Sequence, residues 1–193
     1  TVSFSTIDKE AEICTQDRML TDRVTGFTAS LGNLEFLPGV HNLENIAAAY
    51  AATTACGLDP KDVVSAIKTF KGLKHRIQTV YQLDNLKFVN DSKATNANSV
   101  EKALMCFDNI YWIAGGIPKT DGILPLGHLF NKIKHAYLIG QAQDEFAKVL
   151  SDFHVEFDKC NTLNGALEAI KNSGIKDGVV LFSPACASFD QFK

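Results

Sequence analysis

One polar turn of the sequence reads Asn90-Asp91-Ser92-Lys93-Ala94-Thr95-Asn96. The mainly apolar run 86–89 precedes it, and the segment after it has apolar residues at helical spacing, namely Val100, Ala103, Leu104 and Phe107. Thr95 or Asn96 can cap that helix, because either side chain accepts a hydrogen bond from a free amide. A strand, a polar turn and a helix are therefore predicted in this order. Open α/β sheets bind ligands at the carboxyl ends of their strands, although an ordinary capped loop explains the same residues.

The composition is that of an ordinary globular protein. The chain has 193 residues, 46% hydrophobic and 21% charged, with a formal net charge of −3. This length suffices for one or two domains with a real core, and the charge gives no reason to expect nucleic acid or an anionic membrane as a partner. No apolar run is long enough to cross a bilayer. The five cysteines are scattered without a CxxC pair, which argues against disulfides and zinc and indicates a reducing cytoplasm.

Short apolar runs alternate with segments of helical periodicity in the second part of the chain. The runs lie at residues 88–89, 110–114, 136–139, 155–157 and 179–182. Helices are predicted at residues 98–107, 126–133, 141–150 and 162–172, with another from about residue 187. This alternation predicts a doubly wound, mostly parallel sheet of the α/β class.

The first part of the chain has a weaker pattern. Strands are predicted at residues 1–6, 24–27 and 34–37, and a helix at residues 42–56. A second helix is predicted with Asp59 as its cap and Pro60 as its first residue. Because the pattern changes near Arg76, a domain boundary is predicted there.

Three of the predicted strands end in polar turns, at residues 90–96, 115–122 and 183–188. The carboxyl ends of parallel strands lie along one edge of a sheet, so the three turns can converge on one site. Four side chains of these turns could act together, namely Lys93, Thr95, Lys119 and Ser188. Two ammonium groups and two hydroxyls near helix N-termini suit an anion such as a carboxylate or a phosphate.

These residues also have plain structural explanations. A lysine in a loop is usually a solvated charge, and Ser188 fits the cap of a following helix. Cys186 is either an activated thiolate or, as is more common, a buried packing residue. Gly115 and Gly116 suit a close ligand approach, but the chain lacks the G-x-G-x-x-G fingerprint of dinucleotide-binding proteins.

Asn42 and Asn45 lie three residues apart in the first predicted helix and therefore share a face. An amide both donates and accepts hydrogen bonds, which suits the edge of a planar base. On spacing alone the alternative is that Asn42 caps the helix and Asn45 is exposed.

Five motifs then follow one another along the chain. They are residues 37–45, His75 with Arg76, residues 90–96, Gly115 and Gly116 with Lys119, and residues 183–193. In this order they resemble the Mur ligase family, and within it the members that add D-glutamate. The resemblance spans nearly the whole chain, and five ordered motifs are far more specific than any one alone.

The resemblance implies both a fold and an activity. Residues 1–75 would be the C-terminal part of a P-loop-type central ATP-binding domain. Residues 76–193 would be a Rossmann-like glutamate-binding domain, truncated at its end. The implied activity is an ATP-dependent amide ligase of peptidoglycan synthesis in the cytoplasm. In such enzymes ATP phosphorylates the carboxyl group of UDP-N-acetylmuramoyl-L-alanine, and the amine of D-glutamate attacks the acyl phosphate.

The resemblance also implies roles for individual residues. ATP would be contacted at adenine by Asn42 and Asn45, and at the ribose or phosphates by Arg76 and Asp91. The carboxylates of D-glutamate would be held by Lys93, Thr95, Lys119 and Ser188, with Phe189 packing beside them. Magnesium ions would neutralise the phosphates, although no metal ligand and no catalytic residue is assigned to this chain. The implied partners are these small molecules, without nucleic acid or membrane, and a monomer is expected.

The phosphate-binding pattern G-x-x-x-x-G-K-S/T is absent from the chain, so we predict a fragment that is inactive alone. A folylpolyglutamate synthase-like ligase is one alternative, and a competition of D- against L-glutamate would separate the two. A non-catalytic glutamate- or nucleotide-binding remnant is a second alternative, from a different class. A nucleotide-binding oxidoreductase is a third, and the missing glycine fingerprint argues against it.

Overall fold

The computed structural model describes residues 1–120 and 122–190. The chain divides into two compact units, Thr1–Gly72 and Leu73–Lys193. None of the helices in the described ranges is long and apolar enough to cross a membrane.

The first unit is a small sheet with two helices. Its strands are β1 (Phe4–Ser5), β2 (Ile13–Gln16), β3 (Met19–Asp22) and β4 (Phe27–Ser30), hydrogen-bonded in that order. β1 runs parallel to β2, and the other pairs are antiparallel. The helices are α1 (Val40–Ala55) and α2 (Pro60–Thr69). The side chain of Asp59 accepts from the Lys61 amide, so the predicted cap of α2 is confirmed.

The β2–β3 hairpin lies where the sequence predicts no strand. Its turn residues Asp17 and Arg18 have φ angles of 47° and 61°. Such a two-residue turn normally carries Asn or Gly, so the usual hairpin signal is missing from the sequence. The predicted strands at 24–27 and 34–37 are wrong. β4 begins only at Phe27, and residues 34–37 form a turn closed by a 3.0 Å hydrogen bond from the Leu37 amide to Leu34 O.

Tyr50 and Asp22 are the polar centre of the first unit. Tyr50 is fully buried, and its hydroxyl donates to Asp22 Oδ2 at 3.0 Å. Asp22 also accepts from the Val24 amide and from the amide and hydroxyl of Thr25. Burial favours a raised pKa for Asp22, but the hydrogen bonds outweigh it and lower the pKa below its ordinary value. The stability that Asp22 contributes is therefore present above about pH 4 and is lost as the pH falls through the lower folded pKa.

The change Tyr50→Phe should lower the free energy of unfolding of this unit by about 1.5–3 kcal/mol, the range for hydrogen bonds to charged groups. Tyr81→Phe is the matched control, because Tyr81 is 58% exposed and lies in the second unit. Urea unfolding at pH 7 measures both variants. Equal, near-zero changes in the two would contradict the role of this hydrogen bond.

The second unit is a six-stranded sheet in the order β5-β6-β10-β7-β8-β9. The strands are β5 (Gln78–Leu83), β6 (Asn85–Asn90), β7 (Ile110–Gly115), β8 (Ile133–Ile139), β9 (Phe157–Asn161) and β10 (Asp177–Phe182). All neighbours are parallel except β5, which is antiparallel to β6. The described residues of this unit also form the α-helices α3 (Ala97–Met105), α4 (Gln143–Asp152) and α5 (Leu163–Ser173). The predicted mostly parallel α/β sheet is confirmed.

The core of this unit forms because its central strands are apolar on both faces. Trp112 and Leu181 pack with α3 and α4 on one face, whereas Ile113 and Val180 pack with α5 on the other. Alternate residues of a strand point to opposite faces, so continuous apolar runs are what a sheet covered on both sides requires.

The helix predicted at 126–133 is present as a 3-10 helix, Leu124–Lys132. Two other local predictions for this unit are wrong. β9 begins at Phe157, whereas a strand was predicted at 155–157. A helix was predicted from about residue 187, but residues 187–190 do not form one, because Ala187 pairs with Ile117 in a β-bridge. The rest of the predicted helix lies outside the described residues. The edge strand β5 was not predicted at all.

Candidate ligand site at the carboxyl edge of the sheet

The strand order places the three polar turns side by side. β6, β10 and β7 are neighbours, and residues 90–96, 183–190 and 115–120 follow their carboxyl ends. Backbone hydrogen bonds join the turns: the Ala185 amide donates to Ala94 O at 2.9 Å, and the Ile117 amide donates to Ala187 O at 2.8 Å. The predicted convergence of the three turns is confirmed.

Asp91 and Ser183 link the first turn to the third. Both side chains are buried, and Ser183 Oγ donates to Asp91 Oδ2 at 2.8 Å. The Ile77 amide donates to Asp91 Oδ1 at 3.1 Å. Burial raises the pKa of Asp91 above its ordinary value, against these two hydrogen bonds and the positive charge of Arg76. Each carboxylate oxygen of Asp91 therefore already accepts a hydrogen bond inside the protein. Asp91 holds the first turn, the third turn and Ile77 together.

Arg76 is exposed and lies next in sequence to Ile77, whose amide binds Asp91. It stands between His75 and Ile77, whose φ angles are 65° and 43°. A positive φ is costly for a β-branched residue such as Ile77, and the bond from its amide to Asp91 helps to hold this conformation. The carbonyl of His75 accepts from the Lys93 amide at 3.1 Å. Arg76, Asp91 and Lys93 therefore belong to one hydrogen-bonded neighbourhood.

Two lysines supply the positive charge of the site. Lys93 and Lys119 are both exposed, and in the described ranges neither ammonium group forms an ion pair. Thr95 is half-buried one turn before α3, and Asn96 caps that helix by accepting from the Ser99 amide at 2.9 Å. Of the two predicted caps, Asn96 takes that role and Thr95 does not. The Thr95 hydroxyl is therefore not committed to capping the helix.

Ser188 and Phe189 lie on the third turn. Both are exposed, Phe189 by 85%. Ser188 caps no helix within the described residues. The neighbouring Cys186 is fully buried, and burial with the nearby charges of Asp190 and Glu145 raises the pKa of its thiol to about 12, against the charge of Lys119. Cys186 is therefore a packing residue, and the activated-thiolate interpretation is wrong.

Asn42 and Asn45 lie in the first turns of α1, in the first unit. The two side chains do share a face, because Asn45 Nδ2 donates to Asn42 Oδ1 at 3.3 Å. Asn42 Nδ2 donates to Pro38 O at 2.7 Å, and the cap position of α1 is Gly39. The interpretation of Asn42 as the helix cap is therefore wrong. Asn45 is exposed and keeps its Oδ1 as a free acceptor within the described ranges.

Sequence reasoning missed three contributors to this edge: Ser183 as the partner of Asp91, the turn after β8, and Asp190. The Asp190 side chain accepts from the Gln141 amide of that turn at 3.0 Å. Gly140 directly follows an apolar strand, and this glycine could have indicated the turn after β8 from the sequence alone. Nothing in the sequence pattern singles out Asp190.

In the part of the chain that the structure describes, no group of three or more His, Cys, Asp or Glu side chains could hold a metal ion.

Comparison with solved structures shows which proteins share this fold. MurF from Acinetobacter baumannii superposes over 94% of this chain and 43% of its own length with a TM-score of 0.73, at 18% identity. UDP-N-acetylmuramate-alanine ligase MurC from Thermotoga maritima superposes over 95% of this chain and 44% of its own, with a TM-score of 0.70 at 15% identity. At these identities the likeness establishes the fold. The chain matches no protein-family model.

Curated relatives of this chain identify its family. The UDP-N-acetylmuramoylalanine–D-glutamate ligase of Paramagnetospirillum magneticum is 48% identical over 166 residues, which cover 84% of this chain and 36% of the relative. That of Rhodospirillum rubrum is 46% identical over 183 residues, covering 91% and 38%. The chain belongs to the Mur ligase family. Within the family it matches the D-glutamate ligases and spans little more than a third of their length.

Proposed function

We propose that this chain supplies the D-glutamate site and part of the nucleotide site of an ATP-dependent ligase. The ligase would join D-glutamate to UDP-N-acetylmuramoyl-L-alanine in peptidoglycan synthesis. One observation carries the proposal: Lys93 and Lys119, which have no ion pair within the described residues, lie with the hydroxyls of Thr95 and Ser188 on adjoining turns at one sheet edge. Curated relatives that carry this ligase name support it.

The chemistry of the site suits a dianionic amino acid. D-glutamate carries two carboxylates and one amine. The two lysines would each take one carboxylate, since charge-assisted hydrogen bonds are the strongest that such a surface offers, and the hydroxyls of Thr95 and Ser188 would donate to the remaining oxygens. Held by both carboxylates, the substrate would present its amine to the acyl phosphate of the alanine. Positioning of this kind turns an encounter of two reactants into a step within one complex.

The nucleotide contacts are the second part of the proposal. Asn45 would accept from the adenine amino group through its free Oδ1, and Asn42 would orient it through their mutual hydrogen bond. Arg76, exposed and cationic, would meet a phosphate or the ribose. Both oxygens of Asp91 already accept hydrogen bonds. Asp91 would therefore contribute to nucleotide binding both directly and by positioning Arg76 and Ile77. The described residues hold no magnesium in this proposal.

We also propose the assignment of residues 1–75 to the end of a central ATP-binding domain and of residues 76–193 to a glutamate-binding domain. The phosphate-binding pattern is absent from this sequence, so the chain would hold substrates and would not itself cradle the phosphates. A monomer acting in the cytoplasm on small molecules completes the proposal.

The change Lys119→Ala in an intact ligase carrying these residues should raise the KM for D-glutamate about ten- to a hundredfold. That factor corresponds to about 1.5–3 kcal/mol, the worth of one hydrogen bond to a charged group. The KM for ATP should stay nearly constant, because Lys119 belongs to the carboxylate side of the proposed site. Steady-state kinetics with each substrate varied in turn gives both values.

Lys134→Ala is the control for a lost surface charge. Lys134 is exposed near the amino end of β8, at the opposite edge of the sheet. An unchanged KM for D-glutamate in Lys119→Ala would remove Lys119 from the site. Preference for L-glutamate in a competition would instead favour the folylpolyglutamate synthase alternative.

A further inference from the structure

We infer that Asp190 is a positioning residue: its carboxylate anchors the Ser188–Phe189 segment to the turn after β8 and thereby shapes the D-glutamate site. The inference rests on the proposed function for its ligand, but its structural part concerns this chain alone. The anchor is direct, because Asp190 Oδ2 accepts from the Gln141 amide at 3.0 Å. Gln141 lies between β8 and α4, on the same carboxyl edge as the three polar turns.

The same segment is anchored at its other end by the backbone. Ala187 pairs with Ile117 in an antiparallel bridge, and the Ile117 amide donates to Ala187 O at 2.8 Å. Ser188 and Phe189 are thus the only two residues between two anchors, one on the turn after β7 and one on the turn after β8. Both are exposed, whereas residues 183–186 are buried and Ala187 is half-buried. Two residues fixed at both ends have little freedom, so the anchors set where the Ser188 hydroxyl lies.

Glycines lie under both anchors. A Cβ on Gly140, whose φ is 66°, would lie 2.4 Å from Asp190 Oδ2 and 2.8 Å from Gly116 Cα. A Cβ on Gly116, whose φ is 137°, would lie 2.3 Å from Ala187 O. Only glycine permits such close approach. The third turn therefore packs directly against the backbone of the turns after β7 and β8, which a loosely packed surface loop would not require.

The second carboxylate oxygen of Asp190, Oδ1, does not stabilise the fold through a hydrogen bond within the described residues. Asp190 Oδ1 is buried and, within the described residues, has no hydrogen-bond partner. A buried unpaired oxygen costs stability, so its presence calls for another explanation than stability. A carboxylate would also repel the carboxylates of the substrate, which excludes Asp190 as a direct ligand for them. Oδ1 is buried and Oδ2 already accepts from the Gln141 amide, so we expect Asp190 to contribute to binding through the segment that it anchors.

The test uses NMR of the 193-residue chain, titrated with D-glutamate, for the unmodified chain and five variants. Asp190→Ala should raise the dissociation constant about tenfold, the effect of losing one hydrogen bond to a charged group. Asp190→Asn keeps an oxygen that can accept from Gln141 and should recover most of the affinity. Asp144→Ala is the matched control, an acidic residue on α4 whose ion pair with Lys159 lies outside the site, and it should bind as the unmodified chain does.

The double variant Asp190→Ala with Ser188→Ala separates positioning from general damage. If Asp190 acts through Ser188, the double variant should bind no more weakly than Ser188→Ala alone. Fully additive losses would overturn the inference, as would unchanged affinity in Asp190→Ala.

Amide exchange distinguishes this inference from the proposed function. In Asp190→Ala the Gln141 amide loses its acceptor and should exchange faster, while the amides of β6 and β7 keep their protection. If the unmodified chain fails to bind D-glutamate, the proposed function fails for this chain, and faster exchange at Gln141 still supports the anchor. Unchanged exchange at Gln141 would overturn the anchor whatever the binding result.

Discussion

Gly115→Ala should lower the free energy of unfolding of the second unit by about 4 kcal/mol, a loss at the upper end of what single substitutions cause. Gly115 ends β7 with a φ of 129°, a conformation that is essentially restricted to glycine. A Cβ at this position would lie 1.9 Å from Ile139 O and 2.8 Å from Ile139 C, both backbone atoms of β8. Neither strand can move aside, because β7 and β8 pair along their lengths in the middle of the sheet.

The control for this substitution is Gly174→Ala. Gly174 ends α5 with a φ of 72°, and a Cβ there would meet nothing within 4 Å. Its replacement carries the cost of a positive φ without a clash, about 1 kcal/mol. Urea unfolding of both variants at pH 7 isolates the clash as the difference between them. A similar loss in the two would show that β7 and β8 tolerate a side chain at this point.

Asp91→Ala should have the second large effect, because it leaves the buried Ser183 hydroxyl and the Ile77 amide without their acceptor. Each unsatisfied buried donor costs about 1–3 kcal/mol, so two donors give a loss of about 2–6 kcal/mol, with the smaller share from the partly buried Ile77 amide. Asp91→Asn retains one acceptor oxygen and should lose less. In a ligase that contains these residues, Asp91→Ala should also lower kcat/KM for ATP, since the segment that carries Arg76 loses the hydrogen bond from the Ile77 amide to Asp91.

The pH dependence of this effect has a definite sign. Burial raises the pKa of Asp91, so the folded chain holds the proton of this carboxyl group more tightly than the unfolded chain does. The favourable contribution is complete below the unfolded pKa of about 3.9 and is lost as the pH rises through the folded pKa. Relative to Asp91→Asn, the unmodified chain should therefore gain stability as the pH falls toward 4. Urea unfolding at several pH values measures this difference, and a gain in the opposite direction would contradict it.

Much of the fold could be predicted because the central strands and helices carry strong local patterns. The run 110–114 is apolar on both faces of a strand, and α3 keeps Val100, Ala103 and Leu104 on one buried face. Where local signals were weak, prediction failed. The β2–β3 hairpin turns on Asp17 and Arg18, and β5 is exposed along nearly its whole length, so it has no buried face to reveal it.

The candidate site likewise has residues that local sequence patterns predict and residues that they do not. The residue types at the ends of β6, β7 and β10 indicate an anion site before any pairing is known, because cations and hydroxyls at strand ends are a local property of the chain. Ser183 and Asp190 could not be found in that way. Each acts through a partner distant in sequence, Asp91 for Ser183 and Gln141 for Asp190.

Local chemistry along the chain therefore sufficed for the alternation of strands and helices, the polar turns and the charges that they carry. The order of the strands, the burial of Asp91 and the seating of the third turn on Gly116 and Gly140 arise only when the sheet is assembled. The physical reason is that a side chain's propensity and charge depend on its near neighbours in sequence. Burial, close backbone approach and long-range hydrogen bonds depend instead on which strands become neighbours in space.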